Sequence, residues 1–145
     1  MAQVYISSVI DASAEQIWPT IRDFNGLPGW HPIITESRIE SGAAADQVGC
    51  VRALRMHDGG CIREQLLALS DYEYSCTYAI MESPMEVENY IATLELTPVT
   101  DGGRTFAEWS AQFDCARGLE ARLIAQIGDD VFQAGFDALK HRFGG

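Results

Sequence analysis

Apolar and polar residues alternate with a period of two through most of the chain, and a helical period replaces that alternation in only two places. Residues 3–11 carry Val4, Ile6 and Ile10 on one side and predict a first strand. Ser13-Ala14-Glu15-Gln16 then has the form of a capping box, and Ile17, Trp18, Ile21 and Phe24 supply the apolar stripe of a short helix. Pro19 falls past the first turn, where its ring removes an amide donor, so a kink or an early change of direction is expected. The glycines and prolines of residues 25–32 end any helix, and residues 33–40 predict the second strand.

The strongest turn signal is Asp58-Gly59-Gly60, flanked by two arms that each place a charge where the alternation calls for an apolar residue. Arg52 shares a face with Cys50, Leu54 and Met56, and Glu64 shares one with Ile62 and Leu66. With Asp58 to Gly60 as the loop, His57 faces Cys61, Met56 faces Ile62, Leu54 faces Glu64 and Arg52 faces Leu66. Arg52 and Glu64 are then diagonal neighbours, with backbones roughly 7 to 8 Å apart, a gap that long side chains close. A structural salt bridge on a half-exposed strand accounts for such a pair. Yet a buried ion pair often stabilises no better than packed apolar residues, which makes a functional role the competing explanation.

After a turn at Asp71-Tyr72-Glu73, residues 74–82 predict a strand with Tyr74, Cys76, Tyr78 and Ile80 on one face. That turn length pairs Leu66 with Tyr78 and Glu64 with Ile80, which makes Tyr78 the diagonal neighbour of Glu64. Residues 88–99 present Tyr90, Ala92, Leu94 and Leu96 on one side, and Ile80 faces Tyr90 across the preceding break. A last strand follows Asp101-Gly102-Gly103, with Ala107, Trp109, Ala111 and Phe113 together. Residues 117–143 return to helical spacing: Leu119, Leu123, Ile127, Val131, Ala134 and Ala138 form one stripe, with Arg122, Gln126, Asp129, Gln133 and Lys140 opposite.

The order of elements predicts an α+β fold, an antiparallel sheet of about seven strands wrapped around a long C-terminal helix, with a short helical region after strand 1. Residues 1–145 read as one domain, since no repeat, linker or change of composition divides them. The concave space between sheet and helix is the expected ligand site. Trp30, His31, Leu54, Met56, Leu66, Ile80, Leu94, Trp109, Phe113 and Ile127 are its candidate ligand-binding residues. Trp30 and His31 stand together in a loop at a helix end, where they either gate the cavity or plug the end of the core.

Charge narrows the partners. With 21 acidic against 10 basic residues and a formal charge of −11, the chain should repel phosphate backbones and anionic headgroups, which argues against nucleic acid. No apolar run approaches the roughly 20 residues of a membrane span, and the N-terminus lacks a signal-type core, so no membrane insertion and a cytoplasmic location are expected. The four cysteines make no CxxC and are expected to be reduced, and the three histidines match no metal spacing, so no metal is expected. No phosphate-cradling glycine motif or nucleophile arrangement is discernible, and no cofactor is expected. A monomer or a homodimer is compatible with these features.

The FNGLPGWHP loop, the VGCVRALRMHDGGCIREQLLAL hairpin and the NYIATLEL strand, followed by a tryptophan-bearing strand and a long helix, resemble the helix-grip superfamily. That superfamily includes START domains, birch-pollen-allergen-like proteins and polyketide cyclase/dehydratase-like proteins. Within it the chain is most similar to the branch containing plant lachrymatory factor synthase, which rearranges a small sulfenic acid without a cofactor. The resemblance implies an acid-base pair at Arg52 and Glu64, with Tyr78 and Tyr90 positioning a substrate. The loop between the hairpin arms is shorter here than in the plant enzyme, so the resemblance does not carry over the cavity mouth or the substrate. Two functions follow for a small hydrophobic or amphipathic ligand. One is cofactor-free isomerisation, dehydration or cyclisation; the other is a non-catalytic carrier or sensor in which the pair binds a polar head. A third outcome, an interior filled completely by its own side chains, leaves no ligand site.

Overall fold

A computed structural model describes residues 1–144. Its strands are β1 (Ala2–Ile10), β2 (Ile34–Ile39), β3 (Val51–Met56), β4 (Cys61–Ser70), β5 (Ser75–Glu82), β6 (Glu88–Val99) and β7 (Arg104–Asp114). They form one antiparallel sheet in the order β1-β7-β6-β5-β4-β3-β2. Each hairpin joins sequence neighbours, and the first strand closes back on the last.

α1 (Ala14–Arg22) starts at the expected capping box, with the Ser13 hydroxyl and the Gln16 side chain each accepting from the other's backbone amide. The expectation at Pro19 is corrected in part, because the helix carries on through the proline for three more residues before ending at Arg22. Tertiary contacts hold it: Ile17, Trp18 and Ile21 are buried, while Trp18 Nε1 and Arg22 Nε both donate to Asp71 at 2.7 Å. That carboxylate ties the helix to the β4–β5 turn.

The β3–β4 hairpin departs from the expected register. Arg52 lies directly across from Glu64, and Leu54 across from Ile62, so the diagonal placement is replaced by a direct one. The loop is His57-Asp58-Gly59, with Gly59 N–H donating to Met56 O and Met56 N–H to Gly60 O. Gly59 takes the left-handed position at φ 91°, which closes a three-residue loop, and Asp58 Oδ1 accepts from Gly60 N–H at 2.8 Å. Moving the pairing by two residues leaves every side chain on its expected face.

Beyond β7 the chain forms α2 (Glu120–Gln126), a π-helical segment (Ile127–Gln133) and α3 (Ala134–Phe143). Here the expected stripe fails after Ile127. The wide turn advances the buried face by five residues, so Phe132, Phe136 and Leu139 are fully buried while Val131, Ala134 and Ala138 are only half-buried. Phe132 stacks on Trp109 with ring centroids 4.6 Å apart, and Phe136 meets the same ring edge-on at 5.9 Å. The helix approaches the sheet closely at two glycines, Gly128 over Val4 and Ile6 and Gly135 against Trp109 and His31.

Two apolar clusters result. The larger joins the helices to β1, β4, β5, β6 and β7; the smaller, Leu27, Ile34, Leu54 and Ile62, lies under the β2–β4 end. The cysteines are all free, with Cys50 and Cys76 buried, Cys115 half-buried and Cys61 exposed. Among the described residues no helix is long and apolar enough to cross a membrane.

A Cβ at position 135 would stand 2.7 Å from a Trp109 ring carbon and 3.1 Å from His31, whereas one at Gly118 would meet nothing within 4 Å. Gly135→Ala is therefore expected to lower the free energy of unfolding by about 1–3 kcal/mol through overpacking. Gly118→Ala should change it by well under about 1 kcal/mol. Urea denaturation of the two variants beside the parent checks this contrast, and equal small effects would contradict the close packing.

Candidate functional site

The smaller cluster does not merge with the larger one, and the space between them is a cavity of about 490 Å³. Leu27, Ile34, Leu54 and Ile62 form one wall, and Tyr78, Ile80, Tyr90 and Trp109 form another. The exposed mouth runs between His57 and Asp58 of the hairpin loop, Met85, and Gln126, Asp129 and Asp130 at the start of the π-helical segment. The volume falls in the usual range for small-molecule pockets.

Arg52 and Glu64 meet on the floor of this cavity, each only 5–6 % exposed. Arg52 Nε and Nη2 both donate to Glu64 Oε1, at 2.9 and 2.6 Å, and Nη1 donates to the Phe24 carbonyl at 2.9 Å. The guanidinium lies over the Phe24 ring at 3.9 Å and the Tyr78 ring at 5.1 Å, so both its edge and its face have partners. Both hydrogen bonds fall on the same carboxylate oxygen. Among the described residues no donor reaches Oε2, and since no buried side-chain polar atom is both sealed off and unpaired, that oxygen opens to the cavity.

The two tyrosines flank it. Leu66 pairs with Tyr78 and Glu64 with Ile80 as expected, although the turn runs from Asp71 to Tyr74, one residue longer than expected, and a bulge between Leu66 and Ala68 restores the register that sets Tyr78 diagonal to the carboxylate. Tyr78 Oη accepts from Trp109 Nε1 at 3.1 Å, which leaves its own proton free for another acceptor. Tyr90 sits one residue beyond the last paired rung of β5 and β6, Ala79 opposite Ile91, at a bulge between Glu88 and Ile91 where Asn89 has φ 53°. Its ring stacks on Phe113 at 5.8 Å, and its hydroxyl has no partner among the described residues. Burial pushes both phenols well above their ordinary value of 10.0, so each stays a neutral donor.

His31 is buried and bridges loop and helix. Its Nδ1 accepts from Ile33 N–H at 3.3 Å, so Nε2 carries the proton and donates to Val131 O at 2.7 Å, a carbonyl of the π-helical segment. Burial holds the ring below its ordinary value of 6.5.

Of the candidate ligand-binding residues, His31, Leu54, Met56, Ile80 and Trp109 line the cavity together with Arg52, Glu64, Tyr78 and Tyr90. Leu66, Leu94, Phe113 and Ile127 do not: they are buried among the apolar side chains of the larger cluster. Trp30 also stands outside the lining, wedged against His31 and Trp109 at 5.7 and 6.2 Å. Alternation alone places a residue on the inner face without saying whether a neighbour or a cavity meets it. Reasoning from the sequence also missed the mouth, because Gln126, at the end of α2, and Asp129, in the π-helical segment, both fall opposite the expected stripe. The available signal was the weight of Phe132, Phe136 and Leu139 on the neighbouring stripe.

The sheet, the helix it covers and the cavity between them define a helix-grip protein. The chain matches the family described as polyketide cyclase / dehydrase and lipid transport over residues 1–144, and it belongs to that family. Among solved structures it is similar to the protein XoxI of Bacillus cereus, with 32 % identity and a TM-score of 0.86 over 99 % of this chain and 96 % of that one. An uncharacterised protein of Bacillus thuringiensis is 33 % identical, with a TM-score of 0.87 over 98 % of both chains. A START superfamily protein of Mycobacterium smegmatis shares the fold at 14 % identity, with a TM-score of 0.79 over 99 % of this chain and 97 % of that one.

The neutral His31 gives the site a pH dependence. Its folded-state value lies below that of the unfolded chain, so the unfolded chain takes up the proton first. Its contribution to stability is fully present above pH 6.5 and is lost as pH falls through the folded value. Thermal unfolding from pH 8 to 5 should show a steeper loss in the parent than in His31→Gln, whose amide does not titrate. Parallel pH profiles would contradict a buried neutral imidazole.

Proposed function

We propose that the cavity binds a small hydrophobic or amphipathic molecule and that Glu64, oriented by Arg52, moves a proton on it without a cofactor. The open Glu64 Oε2 carries this reading. A carboxylate whose other oxygen is fixed by a guanidinium has its free lone pairs aimed at whatever fills the space. Tyr78 and Tyr90 are the donors that hold a ligand carbonyl and stabilise negative charge developing on it when Glu64 accepts a proton from the adjacent carbon. Returning that proton to a different atom isomerises the ligand; returning it to a departing hydroxyl dehydrates it; attack of the carbanion on a second carbonyl, with the proton passed from Glu64 to the new alkoxide, cyclises it. The likeness to the lachrymatory factor synthase branch supports the same assignment of Arg52, Glu64, Tyr78 and Tyr90. In this reading residues 1–145 act as one domain.

Carriage without turnover is the second reading. It is favoured by the apolar character of the walls and by the lipid transport included in the family's description. Recovery of a bound ligand unchanged, against its conversion, separates the two.

Native mass spectrometry of the freshly purified protein, followed by extraction, is expected to reveal a co-purifying small molecule. Glu64→Gln should lose it or carry it in unconverted form, and turnover should fall by about 10²–10⁴-fold. Since removing one partner of a buried pair costs about 3–5 kcal/mol, Tyr90→Phe serves as a second variant that keeps the ion pair intact. Empty protein in every case, with no added ligand taken up, would contradict the reading.

A further inference from the structure

We propose that the cavity selects uncharged ligands, with a hydroxyl, an enol or an enolisable carbonyl at the polar end, and rejects carboxylates carrying the same apolar body. The inference rests on the reading of the cavity as a ligand site and adds the class of ligand that it takes.

Arginine at the base of an apolar cavity suggests an anion site, yet here its charge is already matched by Glu64 and each guanidinium nitrogen already has an acceptor. Nε and Nη2 each give an N–H to Glu64 Oε1 and Nη1 gives one to the Phe24 carbonyl, while the guanidinium carbon lies 3.9 Å from the Phe24 ring centre and 5.1 Å from that of Tyr78. What faces the cavity from the pair is the opposite group, Glu64 Oε2, the open acceptor of a side chain that is otherwise buried, without a partner among the described residues. His31 adds no donor, because its one N–H is engaged by Val131 O. A ligand carboxylate would lose its water beside a second carboxylate, with the Tyr78 and Tyr90 hydroxyls and the two N–H groups of Arg52 not given to Glu64 or Phe24 to replace it, in a site whose positive charge Glu64 already balances.

The entrance repeats the preference. Asp58, Asp129 and Asp130 surround it, with His57 as the only basic side chain among the lining residues of the mouth. An anion therefore meets like charge on the way in and again at the floor. An ammonium ion fares little better, since it brings three N–H donors to an apolar space that offers one open carboxylate oxygen already balanced by Arg52. A hydroxyl fits the inventory: its proton goes to Glu64 Oε2, and its oxygen accepts from a tyrosine.

Isothermal titration calorimetry at pH 7.5 with two matched series tests this: 1-decanol, decanoate and decylammonium, all below their micelle concentrations, and 2-naphthol beside 2-naphthoate. In each series the neutral compound should bind at least about tenfold more tightly than its carboxylate, the kind of discrimination expected when a buried polar group is mismatched. Glu64→Gln, which presents an amide donor and leaves the Arg52 charge unbalanced, should narrow or invert the gap. Asp129→Asn/Asp130→Asn, both exposed, should narrow it by a smaller factor and keeps the test alive should the buried substitution fail to fold. Carboxylates or decylammonium binding as tightly as the neutral compounds, or a gap unmoved by both variants, would overturn the selectivity while leaving the ligand site standing. Absence of binding by every compound would overturn the ligand site and the selectivity together.

Discussion

A guanidinium and a carboxylate placed in an apolar interior must find each other and fill their remaining hydrogen bonds, and the inside of this sheet is arranged around that requirement. Arg52 and Glu64 come from adjacent strands and face each other directly, which gives the shortest reach between them. Phe24 supplies both a carbonyl and a ring, so the segment leaving α1 is held to the pair. Tyr78 supplies the second ring and is itself held by Trp109. Trp109 in turn is packed by Phe132 and Phe136 from the helix. One ion pair thus connects the loop, the sheet and the C-terminal helix.

The helix answers with a local departure from α geometry. Its π-helical segment turns Phe132 onto Trp109 and presents the Val131 carbonyl to His31. The same segment carries Asp129 and Asp130 at the cavity mouth, beside Gln126 at the end of α2. A regular α-helix through these residues would keep the stripe of small side chains on the sheet and carry the acidic pair elsewhere. Gly135 completes the arrangement, since any larger residue there would strike Trp109 and His31 together. The wide turn is therefore a condition for both the packing under the helix and the charge of the entrance.

Much of this was legible in the sequence because a strand's faces are decided by alternation. Inward placement of Arg52, Glu64, Tyr78 and Tyr90 survived a hairpin register that moved by two residues, since a shift of two returns every side chain to the same face. What alternation does not encode is whether an inward side chain meets a cavity or a neighbour. Leu66 and Leu94 share a face with Glu64 and Tyr90 yet lie in solid core. The π-helical turn was hidden for a different reason: one five-residue step among regular ones leaves a helical pattern on both sides of it, and only the fit against Trp109 selects which stripe is buried. Pro19 likewise stays in its helix because Trp18 and Arg22 are anchored through Asp71, a contact far away in sequence.

The central claim is that the pair is kept for the oxygen it leaves open and adds little to the stability of the fold. The most direct measurement is the free energy of unfolding of the double variant Arg52→Met/Glu64→Leu, which removes both charges and fills their volume with apolar atoms. A value equal to that of the parent, or up to about 4 kcal/mol higher, is the predicted result. A loss of several kcal/mol would contradict the claim and make the ion pair a structural element of the sheet.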